Sequence, residues 1–133
     1  LTACAERLAF RTMELVGPPP AAQSDLDGLV ELAVRSVHAW TVDRGLMILA
    51  RHELLMESAR HPELRRQIDA ATEHVRALLE RRVEEMNVPD AGDRVADLIA
   101  CLDGLALAHV VAATGGQGSL ARSVRRVVVG LLG

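Results

Sequence analysis

Lysine and tyrosine are missing from this sequence, which holds one phenylalanine, one tryptophan and two cysteines. With so few aromatic residues, a core has to be filled by Leu, Val, Met and Ala, a mixture that suits helices better than sheets. All fifteen basic residues are arginine, consistent with a GC-rich coding bias, and no functional meaning is attached to that. The formal net charge is −3 and the arginines alternate with acids, so the electrostatic footprint of a nucleic-acid surface is absent. Cys4 and Cys101 stand far apart with no CxxC or Cys/His ligand spacing. Such cysteines read as reduced, buried small hydrophobes and favour the cytoplasm. No cationic segment followed by an apolar core marks a signal peptide. No run reaches the roughly 18–20 apolar residues needed to cross a bilayer, so no membrane partner is expected.

What is there is helical periodicity. At 133 residues the chain fits one domain over residues 1–133, and its pattern predicts an all-α bundle of five to six helices. A first helix is expected from Thr2 to Val16, stopped by Gly17-Pro18-Pro19-Pro20 because proline lacks the amide donor. Ser24 or Asp25 can cap a second helix, with Leu26, Leu29, Val30, Ala33, Val37 and Trp40 at three- and four-residue spacing. After a break near Asp43–Gly45, Leu46–Arg60 is apolar over a wide arc. Pro62 then opens an amphipathic helix, Glu63 to Asn87, whose charge run reads as a solvated face. Asn87-Val88-Pro89-Asp90 is a turn; a helix from Asp93 runs to Gly115-Gly116, and Ser119 can cap the last one. Val127-Val128-Val129 has strand propensity, but the spacing Leu120, Val124, Val127, Leu131 decides for helix.

Between Val95 and Ala113 only Asp97, Asp103 and His109 interrupt Val, Leu, Ile, Ala, Cys and Gly. A helix apolar around most of its circumference needs cover on more than one side. Its larger residues, Val95, Leu98, Leu102 and Leu105, suit the chain's own core. Its small ones, Ala100, Cys101, Gly104, Ala108 and Ala112, form a face on which another helix backbone can approach closely. With the final helix, through Leu120, Val124, Val127 and Leu131, this predicts a homodimer whose two copies share a four-helix seam.

Signatures of catalysis are lacking. No Glu precedes a histidine by three residues, and there is no His-Glu-x-x-His, Gly-x-Ser-x-Gly or phosphate loop. No enzyme, cofactor or metal site is expected. The bulky or adaptable groups Phe10, Trp40, Met47 and Met56 lie on three early helices and suit an irregular pocket for a greasy molecule. His52 falls in line with Ile48, Leu55 and Ala59, His38 lies near Trp40, and Leu98 and Leu102 complete the candidate lining. Taken singly, each also reads as an ordinary core residue with its polar atom satisfied by a carbonyl. A constitutive helical interaction module, with a filled core and no cavity beside Trp40, is the rival reading.

Two stretches carry a resemblance. Ala50-Arg51-His52-Glu53-Leu54-Leu55-Met56-Glu57-Ser58-Ala59-Arg60-His61-Pro62-Glu63-Leu64-Arg65 and Cys101-Leu102-Asp103-Gly104-Leu105-Ala106-Leu107 resemble the C-terminal ligand-binding and dimerisation half of TetR-family transcriptional regulators. That resemblance implies a bacterial regulator, in most cases a repressor, that binds a small apolar or amphipathic effector between its early helices. It also implies that an effector changes the spacing of two DNA-reading heads. The family's N-terminal helix-turn-helix has no counterpart in this sequence. The chain opens at Leu1, inside a helical pattern and without an initiator Met. It is therefore expected to be part of a longer protein whose upstream domain contacts DNA.

Overall fold

A computed structural model describes residues 26–42, 45–112 and 116–133. These residues form five α-helices and no strand: α1 Leu26–Thr41, α2 Leu46–Ser58, α3 Pro62–Glu85, α4 Ala91–Ala112 and α5 Gln117–Leu132. The all-α expectation holds. The helix expected over Thr2–Val16, Phe10 upon it, and the caps Ser24 and Asp25 lie outside the described residues.

The local chemistry accounts for the boundaries. Gly45 joins α1 to α2 at φ 71, and a Cβ there would lie 2.5 Å from both γ-methyls of Val110. Both the left-handed backbone and the close approach of α4 therefore select glycine. His61 is extended, at φ −126 and ψ 94, as a residue before proline must be, and Pro62 starts α3 where an amide has no helical partner. The far end of α3 is a Schellman motif. Asn87 takes φ 58, its amide donates to the Glu84 carbonyl at 2.9 Å, and the Val88 amide donates to the Val83 carbonyl at 3.4 Å. Helix α4 starts at Ala91, two residues before the expected Asp93. The last helix also starts early: Gly116 is its cap. Ser119 donates its amide to the Gly116 carbonyl at 3.1 Å from inside the first turn, so it is not the cap.

The main core joins Leu29, Val30, Ala33 and Val37 of α1 to Val95, Leu98, Leu102 and Ala106 of α4 and to Leu120, Val124, Val128 and Leu132 of α5. Ile48 of α2 and Val83 of α3 complete its edge. On α5 the deepest stripe uses Val128 and Leu132 where the sequence pattern offered Val127 and Leu131, which are half-buried. Adjacent valines and adjacent leucines fit two stripe directions equally well, and packing against α1 and α4 chooses between them. A second, small cluster links Leu54 of α2 with Leu64 and Ile68 of α3.

The expectation that no stretch matches a membrane span needs correction. Helix α4 has 22 residues and a mean hydropathy of 1.8 over its most apolar window, long and apolar enough by composition to cross a bilayer. One side of it enters the core and the other is exposed, with 28% of that window buried. It packs on α1, α2, α3 and α5 and carries Asp97 and Asp103, the latter ion-paired to α2.

Candidate functional site

The four helices α1 to α4 line a partly open cavity of about 130 Å³. From α1 come Leu29, Leu32, Ala33, Ser36 and Trp40; from α2, Met47, Ile48, Arg51, Leu54 and Leu55. Helix α3 supplies Ile68, Ala71, Thr72, Val75 and Leu79, and α4 supplies Leu98, Ile99 and Leu102. The void has a readable cause. Where α3 crosses the space it offers Ala71, Thr72 and Val75, and the chain has almost no aromatic rings to reach across.

Polar groups in the wall are few. The Ser36 hydroxyl donates to the Leu32 carbonyl at 2.8 Å, and the Thr72 hydroxyl donates to the Ile68 carbonyl at 3.0 Å. Arg51 makes a two-point fork onto Asp103: Nε to Oδ1 at 3.0 Å and Nη2 to Oδ2 at 3.1 Å. Their side chains are 25% and 12% exposed, so water screens this pair less than the i,i+4 pair of Arg65 with Asp69 on the outside of α3. The fork ties a cavity helix to α4. It also joins the two sequence stretches that carry the family resemblance.

Of the eight residues expected to line a pocket, the structure brings Trp40, Met47, Leu98 and Leu102 together in this wall. Phe10 lies outside the described residues. His38 is on the other side of α1, where its Nδ1 lies 2.9 Å from the Gln117 side-chain oxygen, beside a shallow groove between α1 and α5. His52 points its Nδ1 at the Ile48 carbonyl of its own helix, 2.9 Å away, and Met56 is 73% exposed. The reason is rotational. Helix α2 turns Met47, Arg51 and Leu54 inward, which carries His52 and Met56 toward its outer edge. Arg51, Ser36, Thr72 and the α3 residues were not singled out from sequence. A signal existed for the ion pair: Arg51 and Asp103 are opposite charges, each set in an apolar helix face.

The expected seam residues fall into two groups. Ala100, Cys101, Gly104, Ala108 and Ala112 lie exposed along one strip of α4, so Cys101 is not the buried small hydrophobe expected of it. Val111 beside them is 70% exposed, and a Cβ at Gly104 would meet nothing within 4 Å. Leu120 and Val124 are buried in the chain's own core, with Val127 and Leu131 packed against it. Among the described residues, no group of three or more His, Cys, Asp or Glu side chains is placed to hold a metal ion.

Residues 24–133 match the tetracyclin repressor-like C-terminal domain family. No curated protein and no solved structure matches the chain. The family match spans most of the sequence, so the chain belongs to that family. It is a regulatory domain of the ligand-binding and dimerisation kind, from the transcription-regulator class. Such domains are normally non-enzymatic, and the regulators that carry them are soluble cytoplasmic proteins.

Proposed function

We propose that this member of the tetracyclin repressor-like family senses a small apolar or amphipathic molecule in the cavity between α1 and α4, and that two copies pair through the exposed strip of α4. The single domain of residues 1–133 is the sensor. DNA would be read by a helix-turn-helix of the kind that such regulators, mostly repressors, carry. The observation that carries the reading is the cavity itself: about 130 Å³, walled by Trp40, Met47 and the leucines of α1, α2 and α4. A ligand-free interaction module needs no such void.

The geometry supports a route from ligand to DNA. Helix α4 lines the cavity with Leu98, Ile99 and Leu102 and turns Ala100, Gly104 and Ala108 outward. A guest that favours one setting of α1 and α2 against α4 therefore biases the angle between two copies. DNA heads must match half-sites about 34–36 Å apart, so a small change of angle lowers operator affinity. The coupling is on the order of 1–3 kcal/mol and acts equally in both directions.

Calorimetric titration of the chain with a broad library of small hydrophobic compounds, with Trp40 fluorescence as a second readout, tests the sensor. Saturable binding of at least one compound is expected; a uniformly flat response would overturn it. Sedimentation tests the pairing, where a single folded copy at micromolar concentration would end that part of the reading.

A further inference from the structure

The cavity wall holds two side-chain donors without a partner among the described residues, one of them charged. Arg51 gives Nε and Nη2 to Asp103, and its Nη1 has no partner among the described residues. The same holds for the indole N–H of Trp40. Neither nitrogen is sealed from solvent, because among the described residues no buried side-chain nitrogen or oxygen lacks a partner. On the acceptor side, both carboxylate oxygens of Asp103 are engaged by Arg51. The hydroxyl protons of Ser36 and Thr72 are given to carbonyls of their own helices, so toward a guest these neutral hydroxyls can only accept. The strongest anchor the wall offers is therefore the charged guanidinium donor, which calls for an acceptor on the guest. The guest must also be small, since an apolar cavity of about 150 Å³ is filled by one benzene ring.

Charge narrows the choice further. The guanidinium is permanently cationic, but the fork onto Asp103 has already balanced it. A carboxylate guest would place a second negative charge beside Asp103, whose side chain is 12% exposed, so their repulsion is less screened than on the open surface. A ketone, ester or ether oxygen can take the free Nη1 protons without that penalty.

We propose that the cavity selects one-ring-sized apolar molecules bearing a single uncharged hydrogen-bond acceptor, seated on Arg51. Asp103 is the positioning residue that fixes the guanidinium and turns carboxylates away. This rests on the reading of the cavity as the sensor site.

The test uses three probes of matched size, ethylbenzene, acetophenone and benzoate, titrated by calorimetry into the 133-residue chain. Acetophenone should bind roughly tenfold or more tighter than ethylbenzene, as a hydrogen bond to a charged donor warrants, and benzoate should not saturate. The double variant Arg51→Met/Asp103→Leu removes both charges together and strands neither. In it the acetophenone advantage should vanish while ethylbenzene still binds. Asp103→Asn keeps a hydrogen-bond partner for Arg51 but leaves its charge unbalanced, so benzoate binding should appear. Ethylbenzene binding with no acetophenone preference, or a preference that survives the double variant, overturns the anchor and leaves the sensor standing. If none of the three probes binds, the anchor falls and the sensor reading is left to the library titration.

Discussion

Helices α3 and α5 both pack on α4 and bury their side chains very differently. Helix α5 has 16 residues, and Leu120, Val124, Val128 and Leu132 are all buried in the main core. Helix α3 has 24 residues, yet only Leu64, Ile68 and Val83 are buried, and two of these belong to the small cluster with Leu54. The half built on α1, α4 and α5 is thus closely filled, while the half built on α2 and α3 rests on fewer contacts, with the cavity at the boundary. Regions with few buried apolar contacts open at lower free energy than the core. A guest in the cavity therefore finds one firm wall and one compliant wall, and the Arg51–Asp103 fork spans the line between them.

The largest effects should come from deleting matched leucines on the two sides. Leu120 and Leu64 are both 6% exposed, so they differ in surroundings rather than in burial. Leu→Ala substitutions cost about 2–5 kcal/mol, depending on how far the site can collapse. Leu120→Ala should fall near the upper end, about 4 kcal/mol, because α1 and α4 hold the space open. Leu64→Ala should fall near about 2 kcal/mol, because α2 and α3 can settle. Urea unfolding of both variants measures this, and equal losses would break the comparison.

The same contrast governs what the sequence revealed. Where turn chemistry is strong the boundaries were legible: Gly45, Pro62 and Asn87 each mark the end of a helix by backbone geometry alone. The two faces of α4 were also legible, because residue size separates Leu98 and Leu102 from Gly104 and Ala108. Helix α2 was not. It is apolar almost all round, and Leu46 at 66% and Met56 at 73% exposure are as hydrophobic as its buried residues. Periodicity then cannot choose an inner side, and His52 was favoured over Arg51, its neighbour in the chain. The cavity was legible only through Trp40, Met47, Leu98 and Leu102. Its α3 wall consists of small residues, Ala71 and Thr72, whose role is the space they leave, and a pattern of large apolar groups does not report that.

Filling the space should erase part of the difference between the halves. Ala71 lines the cavity and is half-buried, so Ala71→Leu puts a branched side chain where α3 leaves room. Cavity-filling substitutions commonly add about 0.5–2 kcal/mol, and about 1 kcal/mol is expected here, read as a higher urea midpoint. Binding of ethylbenzene should be lost in the same variant. Higher stability with binding intact would mean that the guest site and the void are different places.

The smallest effect concerns the outer strip of α4 and has opposite signs in one copy and in two. Gly104 lies mid-helix, and an added methyl meets nothing within 4 Å in the single chain. Gly104→Ala should therefore stabilise an isolated copy by about 1 kcal/mol through helix propensity alone. If two copies pack backbone to backbone across that strip, the same methyl enters a close contact, and overpacking of this kind costs about 1–3 kcal/mol. The dimer should then dissociate roughly tenfold more readily. Thermal unfolding over a concentration series separates the two terms. At dilutions where the chain is single the variant should melt higher, and at high concentration the gain should shrink or reverse. A gain that is the same at every concentration would show that Gly104 faces water in the assembled protein, and the closely approaching partner would have to be sought on another face.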